Sequence, residues 1–256
     1  MPPLSATIIA HNEAQNIARA IRSLSLADEV LVVDAGSTDD TPRLAASLGA
    51  RVVVYPWAGF AAQKNFACQQ ARYDWILSLD ADEELSADAQ AALARWKGSA
   101  PAAAGYRLVR RARYLGRWIL HSGWYPDHKL RLFDRRQGHW VGDYVHESVA
   151  VEGAVETLPG EILHYTCDSL DEHRRRIEFY TDLAAREMFE RGGRMSFLRR
   201  QLTPPWIFFS TYFLRLGVLD GYQGFLIAWM AARYVRRKYT KWAELQKEQK
   251  AVGRKQ

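Results

Sequence analysis

Over its first ninety residues the chain alternates short β-branched or apolar runs with stretches of helical periodicity, in the order β-α-β-α-β-α-β-α. That alternation constrains it to a parallel sheet flanked by helices. The first run is 6–10, after which Ile17, Ile21 and Leu24 fall at i, i+4 and i+7 on one helical stripe, with Asn12 as a candidate N-cap. Residues 29–34 form the second run. A Gly-Ser-Thr-Asp turn follows, then Pro42 in a first helical turn, Leu44 and Leu48 on one face, and Gly49 as a stop. Residues 51–55 and 75–79 make the third and fourth runs, separated by a polar helix around 63–71. The fourth ends in Asp80-Ala81-Asp82-Glu83-Glu84, and Ser86 caps the next helix.

Beyond Pro101 the texture changes to shorter alternating segments, 105–113 and 129–134, joined by loops rich in Trp, His and Gly. These predict added mixed strands that carry an acceptor site. Asp168 or Ser169 caps a charged helix over 170–191, and Gly192-Gly193 ends it. The chain therefore divides into a ligand-binding half at 1–100, a second half of the same domain at 101–168, and a helical segment at 169–256.

Charge narrows the function classes. The 256 residues hold 35 Lys and Arg against 29 Asp and Glu, a net +6, but residues 233–256 alone hold nine Lys or Arg and two Glu. The body is near neutral, so no basic face suits a nucleic acid. Cys68 and Cys167 are the only cysteines, which fits a reducing compartment and offers no metal spacing. The N-terminus has no basic and apolar pattern of a signal peptide, so a cytoplasmic location is expected. Residues 204–239 are crowded with aromatics and aliphatics, yet Arg215, Gly217, Asp220 and Gln223 interrupt them before ~18 apolar residues accumulate. That segment is expected to lie on a membrane rather than cross it, with the basic cluster 233–241 attracted to anionic lipid. A buried helical hairpin or a dimer interface fits the same composition.

Three clusters carry chemistry. Asp80 and Asp82 close a buried strand at the edge where open α/β sheets place ligands, and such a pair suits Mg²⁺ or Mn²⁺ bridging to diphosphate oxygens. Taken alone, the tripeptide fits an acidic helix entry equally well. Asp34, followed by Gly36-Ser37-Thr38-Asp39, supplies a carboxylate and a turn at the end of the second run, where it can accept from a base or ribose donor. His11-Asn12-Glu13 end the first run and fall beside Asp34 in a parallel sheet.

Together these clusters resemble the donor half of family 2 glycosyltransferases, which have the GT-A fold. Residues 8–13 are similar to the family's first-strand motif, with His11 where a Tyr often stands. Asp34 matches the uracil-binding carboxylate, Gln63-Lys64-Asn65 the basic element that makes Lys64 a candidate for the pyrophosphate, and Asp80 and Asp82 the metal and diphosphate motif. Residues 123–133 and Val145-His146-Glu147 look like the lipopolysaccharide-core branch of that family.

The resemblance implies an α/β fold with a Rossmann-like nucleotide-sugar-binding sheet, added mixed strands and C-terminal amphipathic helices. It also implies an inverting, metal-dependent transfer of a hexose, glucose in this branch, from a UDP-sugar to the inner core of a lipopolysaccharide or a related glycolipid. Inversion needs a base, and Glu147 matches that position, with Asp143 and Asp127 as competitors and a structural ion pair to Arg131 or Arg135 as the bland reading. His164 is a second candidate metal ligand beside Asp82, or else a satisfied core histidine. Trp124, Asp127, His128, Lys129 and His146 are candidates for the acceptor, and Trp140 is a further platform for sugar stacking. The expected place is the cytoplasmic face of a bacterial inner membrane, held peripherally. A polyprenyl-phosphate acceptor, or a noncatalytic nucleotide-sugar-binding protein, shares the donor residues.

Overall fold

The computed structural model describes residues 1–142, 147–192 and 196–253. They form two compact units, Met1–Ala112 with Asp127–Thr166, and Arg113–Pro126 with Cys167–Gln256. Along the chain the first unit builds β1 (Leu4–Ala10), α1 (Ile17–Ser23), β2 (Glu29–Asp34), α2 (Thr41–Ser47), β3 (Arg51–Val54), α3 (Phe60–Gln70), β4 (Trp75–Asp80), β5 (Glu83–Leu85) and α4 (Ala87–Lys97). Then come β6 (Gly105–Tyr114), β7 (Arg117–Trp118), which falls in the second unit, β8 (Asp127–Asp134), β9 (Gly138–Val141), β10 (Ser148–Val151) and β11 (Val155–Cys167). The sheet order is β3-β2-β1-β4-β8-β6-β11-β5, and β9 and β10 pair separately as a hairpin. β1 to β4 run parallel, whereas β8 joins β4 antiparallel and β6 joins β8 antiparallel. Mixed strands are thus added to one edge of a parallel sheet, as the change of texture after Pro101 predicts.

Register levels the ligand edge. Ala10 of β1 sits opposite Asp34 of β2, and Ile9 opposite Asp80 of β4, so the carboxyl ends of three strands finish together. Alternating β2 side chains feed two cores. Val32 packs with Ile17, Ile21 and Leu24 on one side, and Leu31 and Val33 with Ala67, Cys68 and Trp140 on the other. Asn12 does not cap α1. The helix starts at Ile17 after Asn16, while Asn12 takes a left-handed φ of 56°, a conformation Asn tolerates better than most residues. Ser86 does cap α4, accepting from the Ala89 N–H.

The second unit is α5 (Leu170–Glu190), α6 (Phe197–Phe209), a π-helical turn at Ser210–Leu214, a 3-10 turn at Gly217–Asp220 and α7 (Gly221–Gly253). Ser169, not Asp168, caps α5 by accepting from Glu172 N–H. Glu178 of α5 binds Arg237 and Lys241 of α7, and Asp182 binds Lys241 as well. Part of the basic cluster expected to meet lipid is therefore spent inside the protein. Asp220, which breaks the apolar run in sequence, is a buried anchor that accepts from the N–H groups of Leu120 and His121 and from the Ser122 hydroxyl. No helix among the described residues is long and apolar enough to cross a membrane.

Two consequences are measurable. Gly160 on β11 has φ +93°, and a Cβ there would sit 2.2 Å from the Ala89 backbone nitrogen. Both the left-handed strain and the overlap with backbone oppose any side chain, so Gly160→Ala is expected to cost about 3 kcal/mol or more in denaturant unfolding. In the second unit, the Tyr114 hydroxyl and His173 Nδ1 share a hydrogen bond of 2.7 Å. Burial, helped by nearby Arg176, lowers His173 to about 4. An unfolded histidine takes its proton near 6.5, so the unfolded chain binds more protons in between and stability falls as pH drops from about 6.5 to about 4. His173→Gln is expected to flatten that part of a stability-against-pH curve.

Candidate active site

The loops after β1 and β2 are laced together by side chains standing in for missing backbone pairing. Asn12 donates its N–H to Ser37 Oγ at 2.8 Å and accepts the Thr38 N–H on Oδ1 at 2.8 Å. Glu13 N–H donates to Thr41 Oγ1 at 2.7 Å, and Ala14 N–H to Asp39 Oδ2 at 3.1 Å. Asp34 is buried and turns inward on its own loop, accepting from the N–H groups of Gly36 and Ser37 and from the Ser37 hydroxyl. The structure thus brings His11, Asn12, Glu13 and Asp34 to one edge, with His11 and Asn12 exposed there. Ser37, Asp39 and Thr41 organise that edge, and of these Thr41 escapes sequence reasoning because its hydroxyl bonds backbone 28 residues away.

Lys64 is deeply placed among the donor-side candidates. It projects from α3 into the second core, is 1% exposed, and its Nζ lies 4.4 Å from the centre of the Trp140 ring. An ammonium so desolvated must be paired. It binds Asp80 Oδ1 at 2.8 Å and Glu147 Oε1 at 3.0 Å. Lys64 thereby ties the end of β4 to the residue preceding β10. Trp140 is correspondingly a core residue, not a sugar platform. Asn65, the next residue on α3, holds β9 by exchanging two hydrogen bonds with the Trp140 backbone, at 2.8 and 2.9 Å.

From Asp80 the ion pairs continue. Arg131 Nη2 bridges Asp80 at 2.8 Å and Glu83 at 2.9 Å; Arg110 joins Glu83 at 3.3 Å to Asp127 at 2.8 Å, and Lys129 closes on Asp127 at 3.2 Å. The result is one chain of alternating sign, Lys129, Asp127, Arg110, Glu83, Arg131, Asp80, Lys64, Glu147. Removal from water opposes charge on Asp80, but the Arg131 and Lys64 charges overcome it and hold the carboxyl well below the ordinary range. Glu83, wholly buried, also accepts the Asp80 N–H at 3.0 Å and so fixes both backbone and partner of that residue. Sequence reasoning treats Glu83 as part of an acidic helix entry. Its alternation with buried Arg131 is visible only once β8 lies beside β4. The bland partners considered for Glu147 are not its partners: Arg131 serves Asp80 and Glu83, and Arg135 binds Asp74.

Asp82 stands apart from this chain. Its carbonyl accepts the Tyr165 N–H at 2.9 Å, β5 pairs with β11 so that Glu83 faces His164, and His164 Nε2 lies 3.3 Å from Asp82 Oδ2. Among the described residues no third imidazole, thiol or carboxylate completes a metal cluster with them. One carboxylate and one imidazole nonetheless suit a Mn²⁺-like ion that takes its other ligands from water and phosphate. Beside them Arg19 stacks on the Tyr165 ring at 3.4 Å, and the Tyr165 hydroxyl donates to Glu84 at 2.6 Å.

Of the acceptor candidates, Asp127 and Lys129 end the ion-pair chain and His128 is exposed. Trp124 belongs to the second unit, edge-on to Tyr114. Asp143 and His146 lie outside the described residues.

A model of the glycosyl transferase family 2 matches residues 5–151. An uncharacterized glycosyltransferase of Rickettsia felis is 33% identical, over 92% of this chain and 88% of that protein. The lipopolysaccharide core biosynthesis glycosyltransferase LpsC of Rhizobium meliloti is 33% identical, over 91% of this chain and 88% of its own length. Among solved structures, the mannosyltransferase PcManGT from Pyrobaculum calidifontis, in complex with GDP-Man and Mn²⁺, is similar with a TM-score of 0.53 at 17% identity, covering 94% of this chain and 87% of that one.

Because Glu83 holds two buried guanidiniums, Glu83→Gln leaves charge uncompensated at nearly constant shape. Unfolding in denaturant is expected to show a loss of about 3 to 5 kcal/mol. Nucleotide binding, followed by titration under conditions where the variant is folded, is expected to weaken because Asp80 loses its support.

Proposed function

The chain belongs to glycosyl transferase family 2, with the GT-A fold of that family, and we propose that it transfers a hexose, glucose by its branch resemblance, from UDP to a glycolipid acceptor with inversion. The acceptor class proposed is the inner core of a lipopolysaccharide, supported by the identity to LpsC along most of both chains. The place proposed is the cytoplasmic face of a bacterial inner membrane, where such a lipid-linked acceptor meets a nucleotide donor.

The observation that carries the mechanism is the closed ion-pair chain ending on Glu147. Four cations balance four carboxylates, so the network by itself offers a diphosphate no net positive charge. Asp82 and His164 stand outside that balance and are the residues that would hold Mg²⁺ or Mn²⁺. Such an ion, when bound, supplies the positive charge that stabilises the leaving diphosphate. The Mn²⁺ in the mannosyltransferase complex is in keeping with this assignment. The edge formed by His11, Asn12, Glu13 and Asp34 takes the nucleoside, with Asp34 presenting the loop whose motif matches a uracil site. Asp80 faces the ribose and diphosphate side, fixed there by Lys64 and Arg131. Lys64 is thus a positioning residue. Glu147 takes the proton of the acceptor hydroxyl as that oxygen attacks the anomeric carbon from the side opposite the diphosphate. Asp127, His128 and Lys129 are assigned to the acceptor side of the first unit.

Calorimetric titration with UDP, with and without Mn²⁺, tests the donor assignment. Wild type is expected to bind more tightly with the metal, and Asp82→Ala to lose that enhancement; absence of UDP binding in every condition overturns the uridine reading. Glu147→Gln is expected to keep UDP binding and to lose about 10²- to 10⁴-fold in turnover. Retention of full turnover would instead favour a polyprenyl-phosphate acceptor, whose oxygen needs no base.

A further inference from the structure

The second unit carries an apolar surface that its own core does not use. α6 has no buried residue along its thirteen positions. Leu198, Leu202, Trp206, Phe209 and Phe213 recur along it and the following turn at helical spacing, and all are exposed. Tyr222, Phe225 and Trp229 form the matching exposed stripe of α7, while Leu226, Ile227 and Met230 on its other side are buried. Leu214, Leu216, Val218 and Leu219 expose the tip between the helices. Ring contacts join the two stripes through Phe208, Tyr212 and Phe225. One continuous aromatic face of this extent exceeds what a water-facing surface ordinarily shows.

Charge identifies the occupant. Between Arg191 and Ala243 the sequence has ten Lys or Arg and a single carboxylate, Asp220. That carboxylate is buried and bound to the 120–122 loop. Arg237 and Lys241 are consumed by α5, whereas Arg199, Arg200, Arg215, Arg233 and Arg236 form no ion pair among the described residues. An apolar face rimmed by unpaired arginines and free of exposed acid fits an anionic bilayer surface: rings reach the acyl boundary while guanidiniums remain at the phosphates. A self-complementary protein interface would need exposed acid to answer those arginines, and this face has none.

We infer that the α6 to α7 hairpin, from Phe197 to Trp229 with its arginine rim, is the element that docks this protein on anionic lipid, and that the basic C-terminal tail is not. The inference deepens the membrane part of the proposed function and is independent of turnover. It places the hairpin in the plane of the interface, with Trp206 and Trp229 among the residues entering the headgroup region.

Co-sedimentation of the full chain with phosphatidylcholine vesicles, and with vesicles also containing phosphatidylglycerol, tests it. Binding is expected only to the anionic vesicles and is expected to weaken as salt shortens the Debye length from ~10 Å at 0.1 M to ~3 Å at 1 M. Trp206→Glu with Phe213→Glu is expected to lower the bound fraction at least tenfold, as is Arg199→Glu with Arg200→Glu and Arg233→Glu. Replacing Lys247, Lys250, Arg254 and Lys255 by Gln is expected to leave it unchanged. Arg199, Trp206, Phe213 and Arg233 are exposed and Arg200 is half-buried, and retained UDP binding serves as the check that each variant is folded. Hairpin variants that bind vesicles like wild type, or loss confined to the tail variant, overturn the inference. So does a wild-type dimer in sedimentation equilibrium that becomes monomeric on Phe213→Glu while its vesicle binding is unaltered. Vesicle binding without UDP binding would sink the donor reading and leave the docking element standing.

Discussion

The first unit depends on burying one lysine. Lys64 enters the core from α3 on the same buried face as Ala67 and Cys68. Its charge must be answered by carboxylates brought from elsewhere in the chain, and these are Asp80 at the end of β4 and Glu147 at the foot of the β9 to β10 hairpin. Neither carboxylate is free to move without leaving a buried ammonium unpaired, a cost of several kcal/mol. The Trp140 ring over Nζ strengthens the same constraint, and Asn65 fixes that ring's backbone. The carboxylates of Asp80 and Glu147, proposed for the donor and the acceptor side, are thereby held at a set separation by one buried ammonium.

The second consequence of that burial is propagation. Asp80 has two oxygens, and the one not taken by Lys64 is taken by Arg131. Arg131 is itself buried and needs Glu83, and Glu83 has room for Arg110. The strands set the route: Asp127 and Lys129 lie two apart on one face of β8, Arg110 pairs in register with Asp127, and the β6–β8 register shifts between Tyr106 and Arg107, passing over Arg131. Each charge between the two ends of the chain is stabilised by neighbours of opposite sign on both sides, which offsets the burial of Asp80 and Glu83. A network of this kind rigidifies a site more than it adds to net stability.

What was legible from sequence follows the same division between local and non-local physics. The alternation of runs located β1 to β4 and the intervening helices, because each of those elements is fixed by its own periodicity and by caps such as Ser86. The motifs at the ends of β1, β2 and β4 were legible as candidates, because strand ends at one edge follow from a parallel sheet. Asn12 was misread as a cap, since its oxygen serves Thr38 across the loop and not the helix that follows it. The burial of Lys64 was not legible for a related reason: nothing in the eleven residues of α3 announces that its lysine points inward. Glu83 and Arg131 are 48 residues apart, and their pairing depends on β8 adding antiparallel to β4. The partners of Arg237 and Lys241 were hidden likewise, because a basic run looks solvated until an acidic helix lies alongside it.

Electroneutrality links these arrangements to the order of events at the site. With four positive and four negative groups closed on one another, an incoming diphosphate meets a rigid set of dipoles and no surplus charge. Relaxing the network to free Lys64 would expose Asp80 and Glu147 to the donor's own negative charge, which raises the cost instead of lowering it. On the proposed reading the charge comes from outside the network, and Asp82 with His164, 3.3 Å apart and not part of the ion-pair chain, is the pair proposed to hold the cation. Donor and cation binding are then thermodynamically coupled: each raises the affinity of the other by the same factor, since linkage is reciprocal. On that proposal the site would bind nucleotide weakly alone and cation weakly alone, and the pair together tightly, with Glu147 held by Lys64.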